Sequence, residues 1–527
     1  MSAALLPALV SAQDRGAAPA PGSAPAPGTS STPLLGTPPA LGPGPAPSLT
    51  APLGPTPLVI PGPGTPLPTS PSTPPPPPPQ PSGPVSEPLV PVAPEVQPTP
   101  PPPTVGSAPQ RVLPTPSALG VAPTATFQID GSVGLSEEYT DNFDLSDRDR
   151  RSNFRSTVAP GLRLTINSAF TKGIIQYTLA PSHDSVTDDI TFFQSLLGQV
   201  VWQANPRWTL TLSDTFTRSD EPGEADRLAL RQERRTFSSN TISLFSDYLI
   251  GRVSTRQSYR LSTFFDENDR TTTTHAAGLS ATVPIAATNA LSLGYEYLTS
   301  DTSGGNGGTN VGGAGTADVS GHQITTSIAR KLTTLRSVGL AGSYAFRTLS
   351  DETGDTDFRP WNVSLFTNYL LPGRLTLNGS LGVSGLSTGD GDTLGPNLST
   401  ATSLSYQFAR ATFTLAFDRG FSETFSEGEN FGVVETEGIT GSLSYPFTAT
   451  LLGSISGYFR RSKFTGVGNS DTDQDDRNEN YGGTVALAWR LLGDRLLLDL
   501  IYSYRNQKGT DTSYSENRVR AGLSVRF

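Results

Sequence analysis

From residue 126 onward, apolar and polar side chains alternate along the chain with a period of two. In the last segment, apolar residues occupy every second position from Val519 to Phe527, and arginine, glycine or serine occupies the positions between them. Similar alternating segments begin near Phe127, Leu404, Phe413, Val485 and Leu496. Successive side chains of a β-strand point to opposite faces, so this region predicts strands with one apolar face and one polar face.

The connections between these segments alternate between short turns and long polar loops. The short turns include 205–207, 372–374 and 493–495, and the long loops include 140–153, 221–235, 303–320, 351–357 and 468–480. Short turns at one end and long loops at the other are typical of transmembrane β-barrels. We therefore predict about 20 strands (16–22), the first near 126–139 and the last near 517–527, with both ends of this region on the short-turn side.

The two faces of the strands favour an all-β, transmembrane, antiparallel up-and-down barrel over a soluble sandwich. Many segments exceed the roughly 9–11 residues that cross a bilayer, and aromatic residues such as Trp208, Trp361 and Trp489 lie near the ends of the apolar face, where interfacial girdles form. Serine, threonine, glycine, asparagine and arginine on the other face would form a poor protein core but a suitable wet lumen. A soluble β-structured surface adhesin is the main alternative.

One strand departs from the alternation. Trp208, Leu210 and Leu212 occupy the apolar face, but Asp214 follows on the same face before Phe216. Either a β-bulge shifts the register at this point, or the strand is wrongly assigned.

Residues 1–125 differ in composition from the barrel region. They hold 39 of the 48 prolines and five charged residues, and such a segment cannot bury enough apolar surface to offset the entropy of ordering. The apolar run 3–12, which ends in Val10-Ser11-Ala12, is typical of the second half of a secretory signal peptide. We predict a truncated signal peptide at 1–12, a disordered periplasmic linker rich in proline, alanine and glycine at 13–125, and the barrel at 126–527.

Composition excludes several kinds of function. The chain contains no cysteine and its net charge is −10, which argues against disulfides, thiolate metal sites and nucleic-acid partners. His183, His275 and His322 fall in three different strands, and none has a second ligand at the spacing of a metal or catalytic site. We therefore expect no enzymatic activity, no cofactor and no metal centre.

An acidic loop carries a partial metal-binding pattern. Asp471, Asp473 and Asp475 resemble the first half of a calcium loop, but the sixth and twelfth positions lack the required glycine and glutamate. A solvated acidic loop is therefore favoured over weak divalent-cation binding, and the same holds for Asp390 and Asp392.

The loop 221–235 leaves two interpretations open. It holds Leu228-Ala229-Leu230 among four arginines. It either forms a short helix that folds into the pore as a constriction, or it caps the rim of the barrel.

Arginines on the polar face form the main candidate site. By parity, eight of them should line the lumen, namely Arg163, Arg256, Arg260, Arg490, Arg505, Arg518, Arg520 and Arg526. Three aspartates share that face, namely Asp130, Asp418 and Asp499. Arginine on the lipid face would cost about 2–4 kcal/mol at mid-bilayer, so lumen placement is expected. These arginines either attract anions, including acidic polysaccharide, or pair with the aspartates and only balance charge.

The first two strands carry a resemblance to a known family. Residues 131–142, Gly-Ser-Val-Gly-Leu-Ser-Glu-Glu-Tyr-Thr-Asp-Asn, and residues 156–162, Ser-Thr-Val-Ala-Pro-Gly-Leu, resemble the start of the β-barrel porin family of Gram-negative bacteria. They are similar in particular to members linked to exopolysaccharide and exosortase systems. The terminal Phe527 also resembles the assembly signal of bacterial outer-membrane barrels.

The resemblance implies an outer-membrane location and a role in polysaccharide export. Its partners would be outer-membrane lipid, lipopolysaccharide and the barrel-assembly machinery, and polysaccharide or small solutes would be the cargo. Because residues 1–125 cannot fold into a plug, we expect a passive porin-like channel or an exopolysaccharide export conduit. The alternative is a structural or adhesive surface barrel with long acidic loops.

Overall fold

The computed structural model describes residues 126–222, 234–267, 269–304, 318–351, 354–371, 374–389, 391, 393–423, 433–464, 477–492, 495–509 and 513–527. The predictions for 1–12 and 13–125 concern residues outside these ranges. The described part of the chain contains no helix whose length and hydropathy would allow it to span a bilayer.

The alternating segments form twenty strands. In chain order they are β1 Thr126–Thr140, β2 Asn153–Asn167, β3 Thr171–Asp184, β4 Ile190–Asn205, β5 Trp208–Ser219, β6 Phe237–Ile250, β7 Val253–Asp266, β8 Thr271–Pro284, β9 Asn289–Ser303, β10 Asp318–Thr333, β11 Arg336–Asp351, β12 Gly354–Leu371, β13 Leu375–Thr388, β14 Thr393–Gln407, β15 Thr412–Glu423, β16 Val433–Pro446, β17 Leu451–Phe464, β18 Arg477–Leu491, β19 Leu496–Lys508 and β20 Ser513–Arg526.

Each strand pairs antiparallel with the next, and β20 pairs with β1, which closes the sheet into a barrel. At the closing junction, Ser132 is opposite Arg526 and Thr140 is opposite Arg518. Closure removes both edge strands, so no row of unpaired backbone groups is left along the side of the barrel. The predicted closed up-and-down barrel of twenty strands is therefore confirmed.

The two ends of the barrel differ, as predicted. The end that we call the turn end carries connections of two to four residues. The first residue of β1 and the last residue of β20 also lie at this end. The connections longer than four residues, including 141–152, 220–236 and 465–476, lie at the other end, which we call the loop end. The segment 351–357 was predicted as a loop, and this is wrong. Asp351 pairs with Gly354, and the ladder continues through Ser350 and Asp355, because the polar composition of this segment does not prevent backbone pairing.

The predicted irregularity at Asp214 takes neither of the two expected forms. The β5 register is continuous through Asp214, which lies opposite Gly198 on β4 and Ile242 on β6. The register shift between β4 and β5 falls near the turn, between Gln203 and Asn205. Asp214 therefore keeps the same parity as Leu212 and Phe216.

Contacts between non-neighbouring strands identify the inner face of the barrel. Arg347 on β11 donates to Glu423 on β15 at 2.9 Å, and Asn362 on β12 donates to Ser399 on β14. Side chains can bridge several strands only across the concave side of a closed sheet. Positions of the opposite parity hold exposed large apolar residues, including Leu162, Leu365, Leu381, Ile455 and Leu500. The outer surface of the barrel is therefore mainly apolar.

Candidate functional site in the barrel interior

Four strands of one sector, β18, β19, β20 and β2, place most of the predicted arginines on the inner face. We call this sector the arginine-rich wall; it consists of Arg490 on β18, Arg505 on β19, Arg518, Arg520 and Arg526 on β20, and Arg163 on β2. The sequence produces this arrangement because arginine alternates with outward apolar residues, as in Val519-Arg520-Ala521. Arg256 and Arg260 lie on β7, in a different sector.

Several of the predicted arginines have carboxylate partners. Arg526 bonds to Asp130 at 2.6 Å, and Arg256 bonds to Asp247 at 2.7 Å. Arg505 donates to Gln507 at 3.1 Å, and its guanidinium lies 5.5 Å from the centre of the Tyr514 ring. The carboxylates of Asp130 and Asp247 therefore balance part of the positive charge in the lumen, whereas the two contacts of Arg505 are with neutral groups.

Other members of the set form no ion pair with any described residue. Arg163, Arg260, Arg490 and Arg520 belong to this group, although Arg163 lies opposite Asp130 in the β1–β2 ladder. The Nε atoms of Arg163, Arg260 and Arg520 are buried without a hydrogen-bond partner among the described residues. The interpretation in which the lumen arginines only pair with aspartates therefore does not hold for these four.

The predicted aspartates differ in their surroundings. Asp130 binds Arg526, whereas Asp418 lies 3.9 Å from Arg460, an arginine outside the predicted set. The carboxylate of Asp499 occupies space above Gly522 on the neighbouring strand, where a Cβ atom would collide with it. In the described part of the chain, its Oδ2 atom has no hydrogen-bond partner.

The two ends of the β5–β6 loop reach across the interior and bind β20. Arg234 contacts Glu221 at 2.7 Å and Glu516 at 2.7 Å, and Arg518 contacts Glu221 at 2.8 Å. Strands β1–β4 separate β5 from β20 around the wall, so these contacts cross the inside of the barrel. We call the set Glu221, Arg234, Glu516 and Arg518 the interior clamp.

A second group of contacts supports the interior clamp. Arg155 on β2 bonds to Asp220 at 2.6 Å and to Asp184 at 2.8 Å. Asp220 directly precedes Glu221, so the start of the loop is held at two successive residues. The contacts at both ends of the loop agree with the interpretation that the loop folds into the barrel. The predicted helix around Leu228-Ala229-Leu230 concerns residues outside the described ranges.

The interior clamp shifts the pKa values of its two members at the ends of the β5–β6 loop. Burial alone would raise the pKa of Glu221, but Arg234 and Arg518 outweigh it and hold that pKa well below its ordinary value. Burial alone would lower the pKa of Arg234, whereas Glu221 and Glu516 outweigh it and raise that pKa. Both shifts keep Glu221 and Arg234 charged at neutral pH.

Another sector of the inner face is apolar near the loop end. A buried cluster there contains Ala276, Leu298, Val319, Phe358, Leu386, Phe421 and Val433, from seven different strands. The ion pair between Arg347 and Glu423 is also buried, with side-chain exposures of 1% and 2%. Sequence reasoning missed this cluster, although Phe358 and Leu386 are large apolar residues at inward positions and could have indicated it.

The remaining candidate residues are dispersed. His183 bonds to Asp188 at 3.0 Å, His275 to Tyr259 at 2.8 Å, and His322 to Tyr295 at 2.7 Å. Within the described ranges, no group of three or more histidines and carboxylates could hold a metal ion. The acidic positions 390, 392, 471, 473 and 475 lie outside those ranges.

Phe527 lies at the closing junction of the barrel. Its backbone N–H donates to the carbonyl of Gly131 at 3.0 Å, and the Gly131 N–H donates to the Phe527 carbonyl at 3.0 Å. The aromatic ring covers Gly131 so closely that a Cβ atom there would collide with it, while the residue is 76% exposed. Phe527 therefore packs against β1, whatever its role in assembly.

Comparison with known proteins gives no family for the chain. No protein-family model matches it, and no curated protein matches it. The FrpB iron transporter from Neisseria meningitidis aligns with 76% of this chain and 81% of its own, at 9% identity and a TM-score of 0.44. OccK5 (OpdH) from Pseudomonas aeruginosa aligns with 76% of this chain and 98% of its own, at 14% identity and a TM-score of 0.38.

The outer membrane protein OpdK from Pseudomonas aeruginosa also covers 76% of this chain and 98% of its own, at 10% identity and a TM-score of 0.35. Similar folds host unrelated functions, so function has to come from the residues of the site.

Proposed function

We propose that this barrel spans the outer membrane of a Gram-negative bacterium, with the loop end outside and residues 1–125 in the periplasm. The outward positions hold exposed leucine, isoleucine, valine and aromatic residues on strands all round the wall. A closed barrel satisfies its backbone hydrogen bonds internally, which is what lipid requires of a spanning β-structure. Fractionation of cells tests this location, and recovery of the protein in the soluble periplasm would contradict it.

We further propose that the barrel is a passive channel that favours anionic polar solutes, including acidic polysaccharide. The observation that carries this proposal is the arginine-rich wall, in which Arg163, Arg490 and Arg520 have no described carboxylate partner within ion-pair distance. Unpaired cations in a lumen with low-dielectric walls raise the local anion concentration. Barrels of 16–18 strands already leave an aqueous channel, so twenty strands provide enough circumference.

Ion selectivity in planar bilayers tests this proposal. We expect the full-length protein in a salt gradient to show a reversal potential shifted toward anions, and the shift should decrease in R163Q/R490Q/R520Q. The effect should weaken in high salt, because the Debye length falls from about 10 Å at 0.1 M to about 3 Å at 1 M. R148Q/R150Q/R151Q is a matched control that removes three exposed loop arginines. Equal loss of selectivity in both variants would contradict a role for the wall.

The second candidate function is a structural or adhesive barrel with a closed interior. The interior clamp and the buried cluster around Phe358 favour it, because both occupy the lumen near the loop end. In that case the folded protein would show no conductance in bilayers, while cells lacking it would lose adhesion or surface integrity. Conductance of the unmodified protein separates the two functions.

A further inference from the structure

The turn end of the barrel carries a repeated arginine pattern that the channel proposal does not use. Five of the nine short turns contain an arginine, namely Arg207, Arg252, Arg374, Arg410 and Arg495. In the β10–β11 turn, Arg330 and Arg336 occupy the flanking strand ends instead. The only acidic residue in these nine turns is Asp494, which lies outside the described residues.

These arginines are available to an external ligand. All seven are exposed, and none forms an ion pair with a described residue. They contrast in this respect with arginines of the interior, such as Arg234, whose side chain is 7% exposed and contacts two carboxylates. Cations without internal partners do not stabilise the fold by pairing, so their charge remains available for a ligand.

Each of the six turns has an exposed large apolar residue within five sequence positions of its arginine. Ile250 precedes Arg252, Leu371 precedes Arg374, and Phe408 precedes Arg410 by two or three positions. Leu332, Leu492 and Trp202 are the corresponding exposed apolar residues for the other three turns. The three turns without arginine also present an exposed apolar residue, namely Phe170, Ile285 or Phe447. An apolar residue next to an arginine matches the boundary between acyl chains and headgroups, because arginine keeps its charge at the polar side while its stem packs on apolar surface.

The distribution of the pattern indicates what kind of ligand it fits. The six turns lie between β4 and β19, so the arginines are spread round the circumference rather than gathered in one sector. A globular protein partner would contact one sector, whereas a lipid leaflet surrounds the whole barrel. Guanidinium groups match phosphate oxygens in geometry as well as charge.

The charge of the loop end is opposite. Acidic residues outnumber basic ones in the sequence of its loops. In 141–152 four aspartates accompany three arginines, and the sequence 465–476 holds four aspartates and no lysine or arginine. The basic pattern is therefore specific to the turn end and does not reflect the composition of the chain, whose net charge is −10.

We propose that the turn-end arginines form a ring of binding sites for the phosphate headgroups of anionic phospholipids in the membrane leaflet at that end. This inference rests on the proposed membrane location. The ring fixes the depth of the barrel in the leaflet and enriches anionic lipid around it. Each arginine near an anionic surface strengthens the association on the order of fivefold.

The preference of the full-length protein for anionic over zwitterionic phospholipid tests whether the ring binds lipid headgroups. The protein is reconstituted into phosphatidylcholine vesicles that contain trace spin-labelled phosphatidylglycerol or spin-labelled phosphatidylcholine, and the fraction of immobilised label is measured for each. We expect the wild-type barrel to prefer phosphatidylglycerol severalfold. The preference should fall toward equal binding in R207Q/R252Q/R374Q/R410Q/R495Q. It should persist in part when the same five residues become lysine, which keeps the charge but not the guanidinium geometry.

A matched pair of triple variants provides the control. R252Q/R374Q/R410Q removes three ring arginines and should lower the preference, whereas R148Q/R150Q/R151Q removes three exposed arginines of a loop-end loop and should leave it unchanged. An unchanged preference in the ring variants would overturn the inference, as would binding of a soluble polyanion without lipid preference. Failure of the protein to insert into any vesicle would instead contradict the proposed membrane location.

Discussion

Substituting Arg234 with glutamine gives the most direct test of the interior clamp. Arg234 contacts Glu221 and Glu516, each at 2.7 Å, and the side chain of Glu516 is 4% exposed. Removing one partner of a buried ion pair costs about 3–5 kcal/mol, because the remaining charge is left without compensation. Arg518 still contacts both glutamates. We therefore expect R234Q to lower the free energy of unfolding by about 3 kcal/mol, at the low end of that range.

The same substitution should change conduction if the barrel is a channel. Loss of Arg234 removes the contacts that hold this end of the β5–β6 loop to Glu221 and Glu516, so single-channel conductance should rise or fluctuate between two levels. The assays are urea unfolding in lipid vesicles and single-channel recording of the same preparations.

Arg256 provides the control for this experiment. Its ion pair with Asp247 is also short, at 2.7 Å, but the side chains are 37% and 35% exposed. An exposed pair contributes about 0–1 kcal/mol, so R256Q should unfold nearly like the wild type. Equal stability of R234Q, R256Q and the wild type would refute the reasoning about the clamp.

Four further predictions concern other parts of the barrel. The pKa of Glu221 is lowered, so the carboxylate contributes fully to stability above its ordinary pKa of about 4.5, and this contribution is lost as the pH falls toward the lowered pKa. The thermal unfolding temperature should therefore fall in acid, and it should fall less in E221Q. G382A should destabilise by about 1–3 kcal/mol in urea unfolding, since a Cβ there meets the backbone of Val363 and Ser364. D214L should stabilise the barrel in lipid by about 1 kcal/mol, because it removes a carboxylate from the apolar face; an unchanged unfolding midpoint would contradict the outward placement. F527A keeps the two backbone hydrogen bonds to Gly131, which a deletion of residue 527 removes. If the aromatic ring is not the assembly signal, F527A should reach higher surface levels than the deletion variant.

The strand pattern could be predicted because it depends on local sequence. Period-two alternation and the lengths of turns are properties of neighbouring residues, and they were sufficient for twenty strands and for the two ends of the barrel. The loop prediction for 351–357 was wrong because aspartate and glycine disfavour strands only on average, and pairing with a partner strand overrides that preference.

The partners of the interior charges could not be predicted from the sequence. Parity assigns Arg518 and Glu516 to one face, but only the closed barrel brings Glu221 and Arg234 to them from a distant loop. Asp418 lies near Arg460 rather than a predicted arginine, and Asp499 has no described ion pair. Parity therefore identifies candidate lumen residues, whereas pairing among them depends on long-range contacts that alternation does not contain.

The junction between β1 and β20 has a consequence for the order of the chain. Gly131 and Phe527 are hydrogen-bonded neighbours, and Asp130 binds Arg526 although the two are 396 positions apart in sequence. The barrel wall itself therefore has no first strand and no last strand. A circular permutant that joins residue 527 to residue 126 through a short linker, and opens the chain in the connection 389–392, would keep every strand pairing of the native wall.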